Sequence, residues 1–151
     1  MPKFTALVHV EQATPSLRNT LESASMANDL LVVLDTTDKP AKHMVRKAKG
    51  RLKTTIPGVS PGAYAMDSFH DWVLVLRPGE VLDERTAEVL KDWKKQKHDD
   101  QPGHRVRIIR DGSTLETLRL VNRMKINWTG ELPPDSQLIP LIGEQPQQKA
   151  A

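Results

Sequence analysis

The sequence predicts an α/β domain of three layers, with a mainly parallel sheet and a β-hairpin near its C-terminal end. Three observations predict it. Strand-length apolar runs recur at residues 4–10, 29–35 and 71–76, and the unbroken ones suit strands covered on both faces, as in parallel sheets. Segments with helix start signals and helical spacing of apolar residues lie between them. Later, residues 105–110 and 114–121 flank Asp111-Gly112, the strongest short-range hairpin signal.

The elements follow in order. Residues 4–10 read as a strand that becomes β-branched at its end. Thr14-Pro15-Ser16 opens a helix, with Thr14 as N-cap and Pro15 at the first helical position. Leu17, Leu21, Ala24 and Met26 or Ala27 continue it at helical spacing to about Met26. Residues 29–35 are the second strand. Asp38-Lys39-Pro40 opens a second helix, over 41–48, that Gly50 ends. Residues 52–56 read as a weak third strand, and the alternating Pro and Gly of 57–62 as loop. A short helix is expected over 63–68 and a buried strand over 71–76, stopped by Pro78-Gly79. Asp83 caps a helix whose apolar stripe is Thr86, Val89 or Leu90, and Trp93. Ile126-Asn127-Trp128 is expected to add an edge strand, and the prolines after Glu131 to prevent regular structure. The alternation calls for a parallel sheet with right-handed crossovers, and the expected strand order is near 3-2-1-4, extended by the hairpin. One domain over 1–143 and a disordered tail over 144–151 complete this reading.

The chain has 151 residues, 22 basic and 19 acidic side chains, net charge +3, and no cysteine. That length suits one domain with a core of its own. The near-balance of charge is well short of a dedicated nucleic-acid binder. The lack of cysteine fits a reducing compartment. The start at Met1-Pro2-Lys3-Phe4 carries no apolar leader and no run reaches membrane-spanning length, so a soluble cytoplasmic protein is expected.

Four segments, in order over roughly residues 4–132, resemble the family 2 glycosyltransferases of the GT-A fold. Leu17-Arg18-Asn19-Thr20-Leu21-Glu22-Ser23 is similar to that family's first-helix pattern. Residues 29–38, ending Asp35-Thr36-Thr37-Asp38, resemble its second strand and acidic turn. Asp71-Trp72-Val73-Leu74-Val75-Leu76 resembles the strand that feeds its metal-binding Asp-x-Asp. Arg119-Leu120-Val121-Asn122-Arg123 and Trp128-Thr129-Gly130 resemble a stretch beyond its core. The resemblance implies a Rossmann-like frame with a nucleotide-diphosphate sugar over the C-terminal ends of the parallel strands. It places the loop after Val10, including Glu11, at the nucleoside, and Asp35 and Asp38 near base and ribose. Carboxylates suit that work, because they accept hydrogen bonds from a uracil N–H or sugar hydroxyls.

The departures from the family pattern are as informative. Where the metal motif is expected, the sequence reads Arg77-Pro78-Gly79-Glu80, leaving only Glu80 acidic. A divalent cation needs several oxygen ligands, so no metal cofactor is expected. Glu11-Gln12-Ala13 replaces the usual Asn-Glu-Glu, Glu131-Leu132-Pro133 stands where many members have His-Glu, and little length is left for an acceptor subdomain. The resemblance therefore implies the frame and nucleotide-sugar binding without metal-dependent transfer.

Each candidate has a plain structural reading beside the functional one. Asp35 and Asp38 also suit a turn and an N-cap. Arg77 could clamp a diphosphate in place of a cation, or be a surface arginine in a turn. Glu80 is a base, a relic, or a carboxylate complementing a helix dipole. The five histidines, His9, His43, His70, His98 and His104, show no zinc spacing. Basic clusters at Lys42, Arg46, Lys47, Lys49, Arg51 and Lys53, and at Lys91, Lys94, Lys95 and Lys97, read as solvated faces, with Trp93 as core. Three functions remain in competition: a degenerate sugar-nucleotide domain, an active metal-independent transferase using Arg77, and a non-catalytic interaction or nucleic-acid-associated module. Oligomeric state, sugar and acceptor are not encoded in any recognisable pattern.

Overall fold

The computed structural model describes residues 1–10, 14–35, 37–128, 130 and 132–144. Glu11 and most of the expected tail, 145–151, lie outside the described residues.

The long apolar runs become strands at the middle of the sheet. β1 (Phe4–His9), β2 (Asp29–Leu34) and β4 (Trp72–Leu76) are buried almost throughout. β3 (Arg51–Thr54) is short and half-exposed, as expected of an edge strand with alternate charged side chains. These four pair in parallel in the expected order, β3-β2-β1-β4.

Beyond β4 the sheet changes direction. β5 (Val81–Leu82), β6 (Gly103–Arg110) and β7 (Ser113–Asn122) complete a seven-stranded sheet, β3-β2-β1-β4-β7-β6-β5. The β4–β7, β7–β6 and β6–β5 pairings are all antiparallel. The sheet is therefore mixed and curled, which corrects the expectation of a mainly parallel one. Asp111 and Gly112 take φ of 50° and 76° at the β6–β7 turn, the positive values a two-residue type I′ hairpin requires.

Strand alternation divides the core into two faces. Ala6, Val8, Val32, Leu34, Leu74 and Leu76 point to one side. That side is covered by α1 (Leu17–Ser23), α2 (Lys39–Lys47) and α4 (Glu84–Trp93) through Leu17, Leu21, Ala41, Val45, Leu90 and Trp93. Leu7, Leu31, Val33, Val73 and Val75 point to the other side. There the cover is thin: α3 (Pro61–Tyr64), a 3₁₀ turn (Ala65–Asp67), and Trp128 with its neighbours. The three-layer expectation holds on the first face and is reduced to short pieces on the second.

Local boundaries differ for identifiable reasons. α1 begins at Leu17 with Ser16 as N-cap, later than the Thr14-Pro15 start, and Thr14 Oγ1 instead lies 2.6 Å from Ser16 Oγ. Asp38 does cap α2, accepting from the Ala41 amide at 3.1 Å. Asp83 caps α4, accepting from the Arg85 amide at 2.9 Å. Residues 126–128 form no edge strand. Trp128 is buried and its carbonyl lies where a Cβ on Gly62 would sit, 2.6 Å away, so its apolar area is covered by close loop packing. Among the basic residues read as solvated, Arg51 is bound to Asp29, and Lys94 donates to the Met26 carbonyl at 2.6 Å.

Candidate functional site

The reversal of strand order between β1 and β4 locates the crevice that open α/β sheets use for ligands, outside the carboxyl ends of the strands. β1 lies between β2 and β4, with His9 opposite Val33 and Val8 opposite Leu76. Val10, Asp35 and Arg77, the residues that follow these strands, therefore share one edge of the sheet. Three of the sequence-read residues are thus brought together at neighbouring strand ends.

Their individual settings differ. Val10 is buried in the core, and its amide donates to the Val33 carbonyl at 2.8 Å. Any ligand contact from it is therefore made by main chain. Asp35 is exposed, and its Oδ1 accepts from the Thr37 amide at 2.9 Å and the Thr37 hydroxyl at 2.7 Å. The amide bond first, then the hydroxyl bond, lowers its pKa below the usual 3.8, so it is an anion at neutral pH. Asp38 is half-buried and serves as the α2 cap. Glu11 lies outside the described residues.

Arg77-Pro78-Gly79-Glu80 forms a tight turn, with the Glu80 amide donating to the Arg77 carbonyl at 3.0 Å. Pro at the second position and Gly79 at φ 90° are the signature of a type II turn. α1 holds this turn from the side. Thr20 Oγ1 accepts from the Gly79 amide at 2.9 Å, and Ser23 Oγ accepts from the Leu82 amide at 2.8 Å. The polar letters of the first-helix pattern thus fix the loop after β4.

Glu80 points inward and is fully buried. Its Oε1 accepts from Arg119 Nη1 at 2.6 Å and its Oε2 from Arg119 Nη2 at 2.9 Å, a bidentate pair. Oε1 also accepts from the Arg77 amide at 2.7 Å, and Arg110 Nη1 stands 3.5 Å from Oε2. Burial would raise the Glu80 pKa, but the Arg119 bonds and charge, the Arg77 amide and Arg110 together lower it below 4.5. It is a buried anion committed to arginine, a poor general base.

Arg119 reaches Glu80 through an irregularity in the hairpin. The register passes from Arg105↔Leu118 to His104↔Leu120, which leaves Arg119 as the extra residue of a β-bulge. Bulges of this kind re-aim a side chain. Arg119, Arg110, Thr20 and Ser23 were not among the sequence candidates. Arg119 did carry a signal: an arginine inside the apolar run 118–121 needs a buried anionic partner, since an unpaired buried charge is prohibitively costly.

Among the described residues no group of three or more His, Asp or Glu side chains is arranged to hold a metal ion. A cavity of about 360 Å³ lies between α1 and α2, against Leu21, His43 and Met44. Another, of about 590 Å³, borders Trp93, Asp99 and His104. Neither is lined by a sequence-read site residue. No helix among the described residues is long and apolar enough to cross a membrane.

No protein-family profile and no curated protein matches the chain. Among solved structures it is similar to S. aureus TarS, a glycosyltransferase, with TM-score 0.48 and 15% identity over 62% of this chain. It is also similar to S. aureus TarS 1-349, with TM-score 0.47 and 19% identity over 62% of this chain. The matched region spans 19% and 31% of those two chains.

Proposed function

We propose that this chain is a glycosyltransferase-like domain of family 2 character that binds a nucleotide-diphosphate sugar and does not carry out metal-dependent transfer. One observation carries the reading: the loop after β4, at the strand-order reversal, is an Arg77-Pro78-Gly79-Glu80 turn whose one carboxylate is buried against Arg119. In the family that the sequence resembles, this loop supplies metal-ligating aspartates. Here the residue that follows β4 is Arg77 instead. Asp35, an exposed anion at the end of β2, suits a base imide or ribose hydroxyl.

Calorimetric titration with UDP, GDP and their sugars, with and without manganese, tests this. The expected outcome is binding that chelator leaves unchanged, that Asp35→Ala weakens roughly fivefold to tenfold as one hydrogen-bonded contact is lost, and that yields no free nucleotide over time. Absence of heat with every nucleotide, or binding that requires manganese, overturns it. Arg77-dependent release of nucleotide would replace it with the active, metal-independent reading.

A further inference from the structure

We infer that Arg110, at the end of β6, is a phosphate-binding residue of this site, presented by the hairpin and positioned by the buried Glu80–Arg119 pair. The inference rests on the proposed function for the identity of the ligand as a nucleoside diphosphate. Its geometry is independent of that reading.

The charge around Glu80 does not balance. One carboxylate faces the guanidinium of Arg119 in bidentate contact and that of Arg110 at 3.5 Å. Arg119 takes one bond to each carboxylate oxygen and its side chain is 3% exposed, whereas the Arg110 side chain is 41% exposed. Arg110 thus stands beside the Glu80 carboxylate as an ion-pair neighbour and is partly open to solvent. Guanidinium in that state is suited to phosphate, which it meets in fork geometry with little loss of side-chain freedom.

The location is also right for a diphosphate. Glu80 Oε1 accepts from the Arg77 amide at 2.7 Å, and its Oε2 lies 3.5 Å from Arg110 Nη1, so one carboxylate bridges the turn after β4 and the Arg110 guanidinium. β7 leaves β4 beyond Leu74↔Leu120, and the hairpin then runs on to Arg110↔Ser113. Because β7 is antiparallel to β4, that extension projects past the edge where β1, β2 and β4 end. Arg110 thus reaches this edge from the antiparallel side, and Arg77 from the parallel side. A dianionic diphosphate at this edge would meet the Arg110 guanidinium where the resembled family uses a metal.

The test is titration of the full chain, in chelator, with UDP, GDP and inorganic pyrophosphate. Wild type, Arg110→Gln, Arg110→Lys and the remote control Lys91→Gln are compared, with thermal unfolding as the check on folding. Arg110→Gln leaves Glu80 with both Arg119 bonds, so Tm is expected to stay close to wild type. Arg110→Gln is expected to weaken nucleotide and pyrophosphate by roughly tenfold or more, the loss of one charge-assisted contact. It should also flatten the salt dependence of binding. Arg110→Lys recovers part of the affinity, and Lys91→Gln changes neither. Nucleotide binding that Arg110→Gln leaves intact overturns the inference and spares the proposed function. Arg110-dependent pyrophosphate binding without any nucleotide binding sustains the anion site and overturns the nucleotide reading. No binding of either probe overturns both.

Discussion

Two arginine–carboxylate clamps hold this sheet, one in each half, and their settings are unlike. In the parallel half Asp29, at the start of β2, accepts from Arg51 Nε at 2.8 Å and Nη2 at 2.7 Å, and from the Thr5 hydroxyl at 2.8 Å. In the other half Glu80 and Arg119 join the loop after β4 to β7. The first clamp lies at the rim, where the Arg51 side chain is 33% exposed and covers the ring of Phe69. The second lies under the sheet edge, with the two side chains 3% and 0% exposed. A rim clamp can lose a partner to water, whereas a buried one cannot. The parallel half is specified chiefly by its apolar runs, and the antiparallel half depends on a buried charge pair for the junction between the two.

The largest expected effect follows from that difference. Glu80→Ala strands Arg119 as a buried cation, and denaturant unfolding is expected to show a loss of about 3–5 kcal/mol. Asp29→Ala is expected to cost only about 1–2 kcal/mol, because Arg51 regains water. Equal losses in the two variants would erase the distinction between the clamps.

Acid sharpens the same comparison. Burial raises the pKa of Asp29, but Arg51, Thr5 and the Phe69 amide outweigh it and leave the pKa below 3.8; Glu80 lies below 4.5 for the reasons already given. Asp99 is likewise raised by burial and, on balance, lowered by its bonds from Trp93, Gln101 and His104. Depressed folded-state values mean stability that is present above the ordinary pKa and is lost as pH falls through the folded one. These three groups therefore leave stability flat between pH 7 and 5 and reduce it progressively below ordinary values of 4.5 and 3.8. Unfolding midpoints measured from pH 5 down to 2 are expected to fall less steeply in Glu80→Gln than in wild type. A slope unchanged by that variant would assign the acid sensitivity elsewhere. The smallest effect is at the α2 cap, where Asp38→Ala is expected to cost about 1 kcal/mol through its single bond to the Ala41 amide.

The parallel half was the more legible one in sequence. The unbroken apolar runs at 29–35 and 71–76 suit strands buried on both faces, and both do lie beside β1 at the centre of the sheet. The hairpin was legible through Asp111-Gly112, since few other pairs accept two positive φ values. β5, two residues long, has no period to read and exists because Val81 and Leu82 meet Ile109 and Ile108. Its presence, with β6 and β7, is what makes the sheet mixed. Trp128 misled because an aromatic flanked by Ile126 and Asn127 resembles a strand, whereas its burial comes from loop packing against Gly62. For the site, the shared edge of Val10, Asp35 and Arg77 followed from topology. The inward orientation of Glu80 did not, because it depends on a bulge that sequence periodicity cannot announce.

The Pro78-Gly79 turn is a poor host for an acidic motif. Placing aspartate at 77 and 79 would ask a side chain at 79 to live at φ 90°, a backbone region hostile to all but glycine. The proline before it holds the chain in that path, and Thr20 anchors the amide at 79. Grafting two carboxylates would thus yield a strained loop with its new oxygens set by a turn shaped for other purposes. Building a cation site here would require rebuilding the loop as a whole.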